Sequence, residues 1–160
     1  MSMIGNLLAV TQSELDALYD DPAEISDFLY ETHEDDAVDI DKTWHAIHFM
    51  LTGQVYDGDG PVSQVILGGE PIGEEEIGYG PARGLSAAEV KDIDTALRAV
   101  SEADFRAKFD AAALTAADIY PQIWDEGDAA LDYLIPYFLT VKQFYEKAAQ
   151  EQSAAILFIN

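Results

Sequence analysis

Apolar positions change their period along this chain, and the changes mark out its elements. Met3 to Val10 (MIGNLLAV) is a mostly apolar run of strand length and predicts a first β-strand. Polar Thr11-Gln-Ser-Glu14 follows with the spacing of a capping box: the Thr11 hydroxyl accepts from the third helical amide and the Glu14 carboxylate reaches back. Leu15, Leu18 and Tyr19 then share one helical face. Asp21-Pro22-Ala-Glu24 repeats the start signal, with Pro22 at a position whose missing N–H costs nothing, and Ile25, Phe28 and Leu29 form a second stripe. A third helix is predicted from about Asp41 to Leu51, stopping at Gly53.

Residues 54–84 hold eight of the eleven glycines together with Pro61, Pro71 and Pro81, so turn and loop are expected there, with one short element over Pro61 to Leu67. Helical spacing resumes at Ser86-Ala-Ala-Glu89, another capping box, followed by Val90, Ile93, Leu97 and Val100. Ser101 caps a short helix expected to bury Phe105 and Phe109. A long helix spans about Asp128 to Ala149, and Pro136 within it predicts a kink or a later start, because an interior proline removes one backbone hydrogen bond and crowds the preceding turn. Ala154 to Ile159 is the closing strand. Strands near both ends with helices between them give an α+β fold: residues 1–160 as one domain, a small mixed β-sheet covered by several α-helices.

Composition agrees with a single folded core. At 160 residues a domain buries about 70% of its unfolded surface, and 49% apolar residues lies far above the disordered range. The chain has no cysteine, which excludes disulfides, thiolate metal sites and cysteine nucleophiles and suits a reducing compartment. No basic stretch precedes an apolar run near Met1, and no apolar run approaches the roughly 20 residues that span a bilayer, so a cytoplasmic protein without a membrane segment is expected.

Charge changes the picture most. The formal net charge is -23, from 31 acidic and 8 basic residues, and Lys42 is the only lysine or arginine before Arg83. Such a field repels nucleic acid and attracts basic proteins. The acids Glu31, Glu34, Asp35, Asp36 and Asp39 are the candidate surface for a basic partner. No oligomeric state follows from the sequence.

The densest candidate chemistry lies in Asp39-Ile-Asp41-Lys42-Thr-Trp44-His45-Ala-Ile-His48. On a helix Trp44 and His48 share the apolar face, which predicts His48 as a core residue, while Asp41 and His45 stand one turn apart as a surface pair. The sharper alternative joins Asp41, His45 and His48, with His33, in a divalent-metal site. Lys42 is expected to pair with Asp39 or a nearby acid. Gly78 to Gly84 lacks phosphate-loop spacing, and Asp57-Gly-Asp59-Gly60 lacks the closing glutamate of a calcium loop, so both are read as turns. No cofactor and no catalytic set is implied.

The opening Met3-Ile4-Gly5, the run Asp39-Ile-Asp41-Lys42-x-Trp44-x-x-x-His48-Phe49-x-Leu51-Thr52-Gly53, Leu67-Gly68 and Ile119-Tyr120-Pro121 are similar to the bacterial YfbM-like family, a domain of unknown function. The resemblance covers essentially the whole chain and implies a compact α+β domain. Small domains of this kind are also met among immunity proteins of bacterial toxin systems. The expected function is a non-enzymatic acidic protein-binding module, of immunity type, that covers a basic toxin. The alternative is a small-molecule or metal-binding enzyme built on Asp41, Lys42, Trp44, His45 and His48 with Tyr79 and Arg83 of the glycine-rich loop.

Overall fold

The two terminal strands pair with each other. In the computed structural model, which describes residues 2–160, β1 (Gly5–Val10) runs antiparallel to β5 (Ala154–Ile159) in a register from Gly5↔Ile159 to Val10↔Ala154. The very short β2 (Val38–Asp39), β3 (Glu70–Pro71) and β4 (Arg83–Leu85) complete the order β2-β1-β5-β4-β3. Every pairing is antiparallel, which corrects the mixed sheet. A parallel neighbour needs a crossover that returns the chain to the same end of the sheet, and no connection between these neighbours makes one.

Both faces of the sheet are buried, which is why β1 and β5 read as continuous apolar runs and not as alternating ones. Leu7, Leu85 and Leu157 face one core, under α3 (Trp44–Thr52), α5 (Ala87–Arg98) and α8 (Asp128–Gln150). Leu8, Val10, Ile156 and Phe158 face another, under α1 (Gln12–Asp20), α2 (Ile25–Asp27), and Ile72, Ile77 and Ala82. The remaining helices are α4 (Gln64–Leu67), α6 (Glu102–Ala107) and α7 (Ala111–Ala116). The capping boxes at Thr11, Ser86 and Ser101 all form.

Several local expectations change. The Asp21 side chain caps nothing: Pro22–Glu24 is a 3-10 turn, and beyond α2 the chain loosens into a π turn, Phe28–Thr32. Ile25 and Leu29 are nevertheless buried. Asp41–Thr43 is likewise a 3-10 turn, so the α-helix begins at Trp44; it ends at Gly53, whose φ of 74° suits glycine. Phe109 lies beyond the end of α6 and is half-buried. α8 runs through Pro136 as one element. Pro136 and Asp132, whose carbonyl loses its partner, are both exposed, so water can take that hydrogen bond. Gly5 permits the approach of α3 to the sheet, since a Cβ there would lie 2.9 Å from Trp44 Cβ. Among the described residues no helix is long and apolar enough to cross a membrane.

Candidate functional site

The first turn of α3 meets the turn at residues 118–122, and two surface hollows open on either side of Pro121. One, of about 470 Å³, is lined by Met3, Trp44, His45, Tyr56, Asp118, Tyr120 and Gln122 as well as Pro121. The other, of about 530 Å³, is lined by Asp41, Lys42, Ile123, Glu126, Ala129 and Tyr133 as well as Pro121. Trp44 donates from Nε1 to the Met3 carbonyl at 3.0 Å, and the Met3 amide donates to the Tyr120 hydroxyl at 3.0 Å. Segments that carry the YfbM-like resemblance therefore meet here. Asp41, Asp118 and Gln122 adopt positive φ without being glycine (52°, 54° and 65°), a backbone state that concentrates at functional and tightly constrained turns.

His45 is buried, not paired at the surface with Asp41 as expected. The Tyr120 amide donates to its Nδ1 at 3.0 Å, and its Nε2–H donates to the Val55 carbonyl at 3.0 Å. Its ring stacks on Trp44 at 4.9 Å and on Tyr56 at 5.1 Å. The irregular turn at Asp41 takes that carboxylate away from the helix; it accepts from the Tyr133 hydroxyl at 2.7 Å. Lys42 makes no ion pair among the described residues, with Asp39 or any other acid, and faces the second hollow.

His48 is buried as the apolar stripe predicts. Its Nε2–H donates to the Asp57 carbonyl at 2.9 Å, and its Nδ1 has no partner among the described residues. The two histidines, one helical turn apart, thus clamp alternate carbonyls of the loop that follows α3. Burial lowers the pKa of both imidazoles. The proposed metal set does not converge. His33 lies elsewhere, with Nδ1 2.8 Å from Asp36 and Nε2 3.6 Å from Glu14. Among the described residues no three His, Cys, Asp or Glu side chains form a metal-holding group. Arg83 points inward, donating to the carbonyls of Gly68 at 2.8 Å and Ile66 at 3.2 Å at the end of α4. Tyr79 is at the far end of β5, its amide bonded to the Ile159 carbonyl at 3.0 Å. Of the seven candidate ligand residues, four line the hollows and His48, Tyr79 and Arg83 do not.

The acids sort by layer. Residues 11–37 and 70–82, which cover the Leu8/Ile156 face of the sheet, contain ten and four carboxylates and not one lysine or arginine. All but half-buried Glu14 are exposed. The two segments are joined where the Ser26 hydroxyl donates to Glu75 at 2.5 Å. Glu31, Glu34, Asp35 and Asp36 belong to this layer, and Asp39 adjoins it on the edge strand β2. Glu74, Glu75 and Glu76 and the exposed Tyr30 and Tyr79 also belong to it, and sequence reasoning missed that grouping. Several bases are instead tied up elsewhere. Arg98 pairs with Asp94 at 3.0 Å, Arg106 pairs with Glu102 at 3.1 Å, and Lys142 donates to the Val100 carbonyl at 2.6 Å.

No curated protein matches the chain. The crystal structure of YfbM from Escherichia coli, a protein of unknown function, matches with a TM-score of 0.77 at 19% identity, over 98% of this chain and 99% of that one, which shows a shared fold. A family model described as a domain of unknown function, DUF1877, matches residues 1–158. The YfbM-like resemblance read from the sequence and this match agree: the chain belongs to the DUF1877 family.

Proposed function

We propose that this chain is a non-enzymatic protein-binding module that docks a basic protein on its acidic layer, as an immunity protein would cover a basic toxin. One observation carries the reading: fourteen carboxylates and no lysine or arginine in the segments that cover one face of the sheet. Such a face focuses a negative potential and steers cationic partners toward it. Tyr30 and Tyr79, both exposed, supply apolar anchoring surface within it, since tyrosine is enriched where interfaces carry their energy. The dispersal of the candidate ligand residues supports binding over the enzyme reading. Both ring nitrogens of His45 are engaged, and Arg83 is spent on backbone carbonyls.

The test is capture from an extract of the source cell, or co-expression with the neighbouring gene product, with the wild-type chain and the Glu34→Gln/Asp35→Asn/Asp36→Asn variant side by side. A basic protein retained by the wild type at low salt and lost from the variant supports the reading. Retention of an acidic protein, or equal retention by the variant, contradicts it.

A further inference from the structure

His45 sits where three distant segments meet. Trp44 and Tyr56 stack on its ring, the Val55 carbonyl faces Nε2, and the Tyr120 amide faces Nδ1. The two hydrogen bonds fix its tautomer. A carbonyl requires a proton on Nε2, and an amide N–H requires a lone pair on Nδ1, so only the neutral ring with its proton on Nε2 satisfies both. The imidazolium would direct a second N–H at the N–H of Tyr120, and two donors 3.0 Å apart repel.

His48 shows the contrast on the same helix. Its Nδ1 faces no donor among the described residues, so a proton there displaces no hydrogen bond. The Tyr120 bond is also the one with consequences. Tyr120 holds Met3, Met3 holds the Trp44 indole, and Asp118 and Gln122 on the same turn adopt positive φ.

We propose that His45 is an acid-sensitive latch: protonation of its ring breaks the Tyr120 N–H···Nδ1 hydrogen bond and opens the hollow between α3 and the 118–122 turn, while the sheet and its two cores stay closed. The titratable groups around it are His48 one turn along α3, Tyr56 from the following loop, Tyr120, and Asp118 on the wall of the same hollow; Lys42 faces the neighbouring hollow. Burial opposes the imidazolium, the Val55 carbonyl that accepts from Nε2–H favours it, and His48 opposes it. Burial is the largest influence, so the ring charges below the ordinary histidine value of about 6.5.

The experiment is a nitrogen-15 NMR titration of the whole chain from neutral pH to about pH 4.5, below the usual histidine range. At neutral pH the His45 ring should show a protonated Nε2 and a bare Nδ1. As His45 charges, exchange protection of the Tyr120 amide should fall by about tenfold or more after correction for the pH dependence of exchange itself. The Trp44 indole N–H should shift on the same curve. The amides of β1 and β5 should stay protected. His45→Asn places an oxygen near Nδ1 that accepts from Tyr120 but does not titrate, and in it Tyr120 should stay protected throughout. The latch is refuted by a proton on Nδ1 at neutral pH, by a ring still neutral at the acid end, or by a ring that charges while Tyr120 keeps its protection. Loss of β1 and β5 protection on the same curve refutes it too, since that is unfolding of the domain. If His45→Asn does not fold, the wild-type ring and amide readings decide alone.

Discussion

The Tyr133 hydroxyl donates to Asp41 Oδ2 at 2.7 Å, joining residues 92 positions apart. It ties α8 to the 3-10 turn that delivers the chain into α3. Burial, and then the Asp41 carboxylate, push the phenol well above its ordinary pKa, so it stays a donor across the physiological range.

Tyr133→Phe should therefore cost about 1–2 kcal/mol, the loss of a hydrogen bond to a charged group at a half-buried site. Asp41→Asn should cost less, because asparagine keeps an acceptor and tolerates the φ of 52°, whereas Asp41→Val should cost more, since a β-branched residue is strained there. Urea midpoints with unchanged slopes measure all three. A neutral Tyr133→Phe would show that the bond contributes nothing.

His48→Ala should cost about 1–3 kcal/mol, through the cavity left in α3 and the Asp57 carbonyl left without its donor. The loop after Gly53 should become more accessible to proteases in this variant, because one of its two clamps is gone. An unchanged midpoint with intact loop protection would overturn the structural role.

Stability should fall in mild acid. The buried imidazoles of His45 and His48 have lowered pKa values, so between about pH 6.5 and those lowered values the unfolded chain binds more protons than the native one. In that window ΔG of unfolding decreases as pH decreases, and the stability is fully present above it. Urea titrations across this range, on wild type and His48→Ala, should show a shallower dependence in the variant. Equal slopes would remove His48 from the account.

What the sequence reveals is mostly local. Thr11, Ser86 and Ser101 announce their helices because a capping box involves residues three apart, and Gly53 ends α3 by its own backbone freedom. The apolar runs of β1 and β5 are legible because both faces of the sheet are covered. His45 is not legible. Its burial depends on a loop that folds back with Val55 and on a turn 75 positions away, and helical spacing contains neither. β3 and β4 are too short to show a period. The acid run from Glu31 to Asp39 is plain in the sequence, but its union with Glu74–Glu76 arises only when both segments cover one side of the sheet.

The most direct test of the acidic layer as a docking face is the association rate of the captured partner as a function of salt, measured for three chains. Wild type should associate fast at low salt and slow steeply toward physiological salt, because exposed charges are screened within about 10 Å. The Glu34→Gln/Asp35→Asn/Asp36→Asn variant should lose roughly tenfold in association rate at low salt with little change in dissociation. A control with the same change in charge on the opposite side, Asp92→Asn/Asp125→Asn/Glu146→Gln, all at exposed positions, should associate nearly as wild type. Equal slowing of both variants would make the charge a general property of the chain, and an association rate indifferent to salt and to both variants would contradict docking on this face.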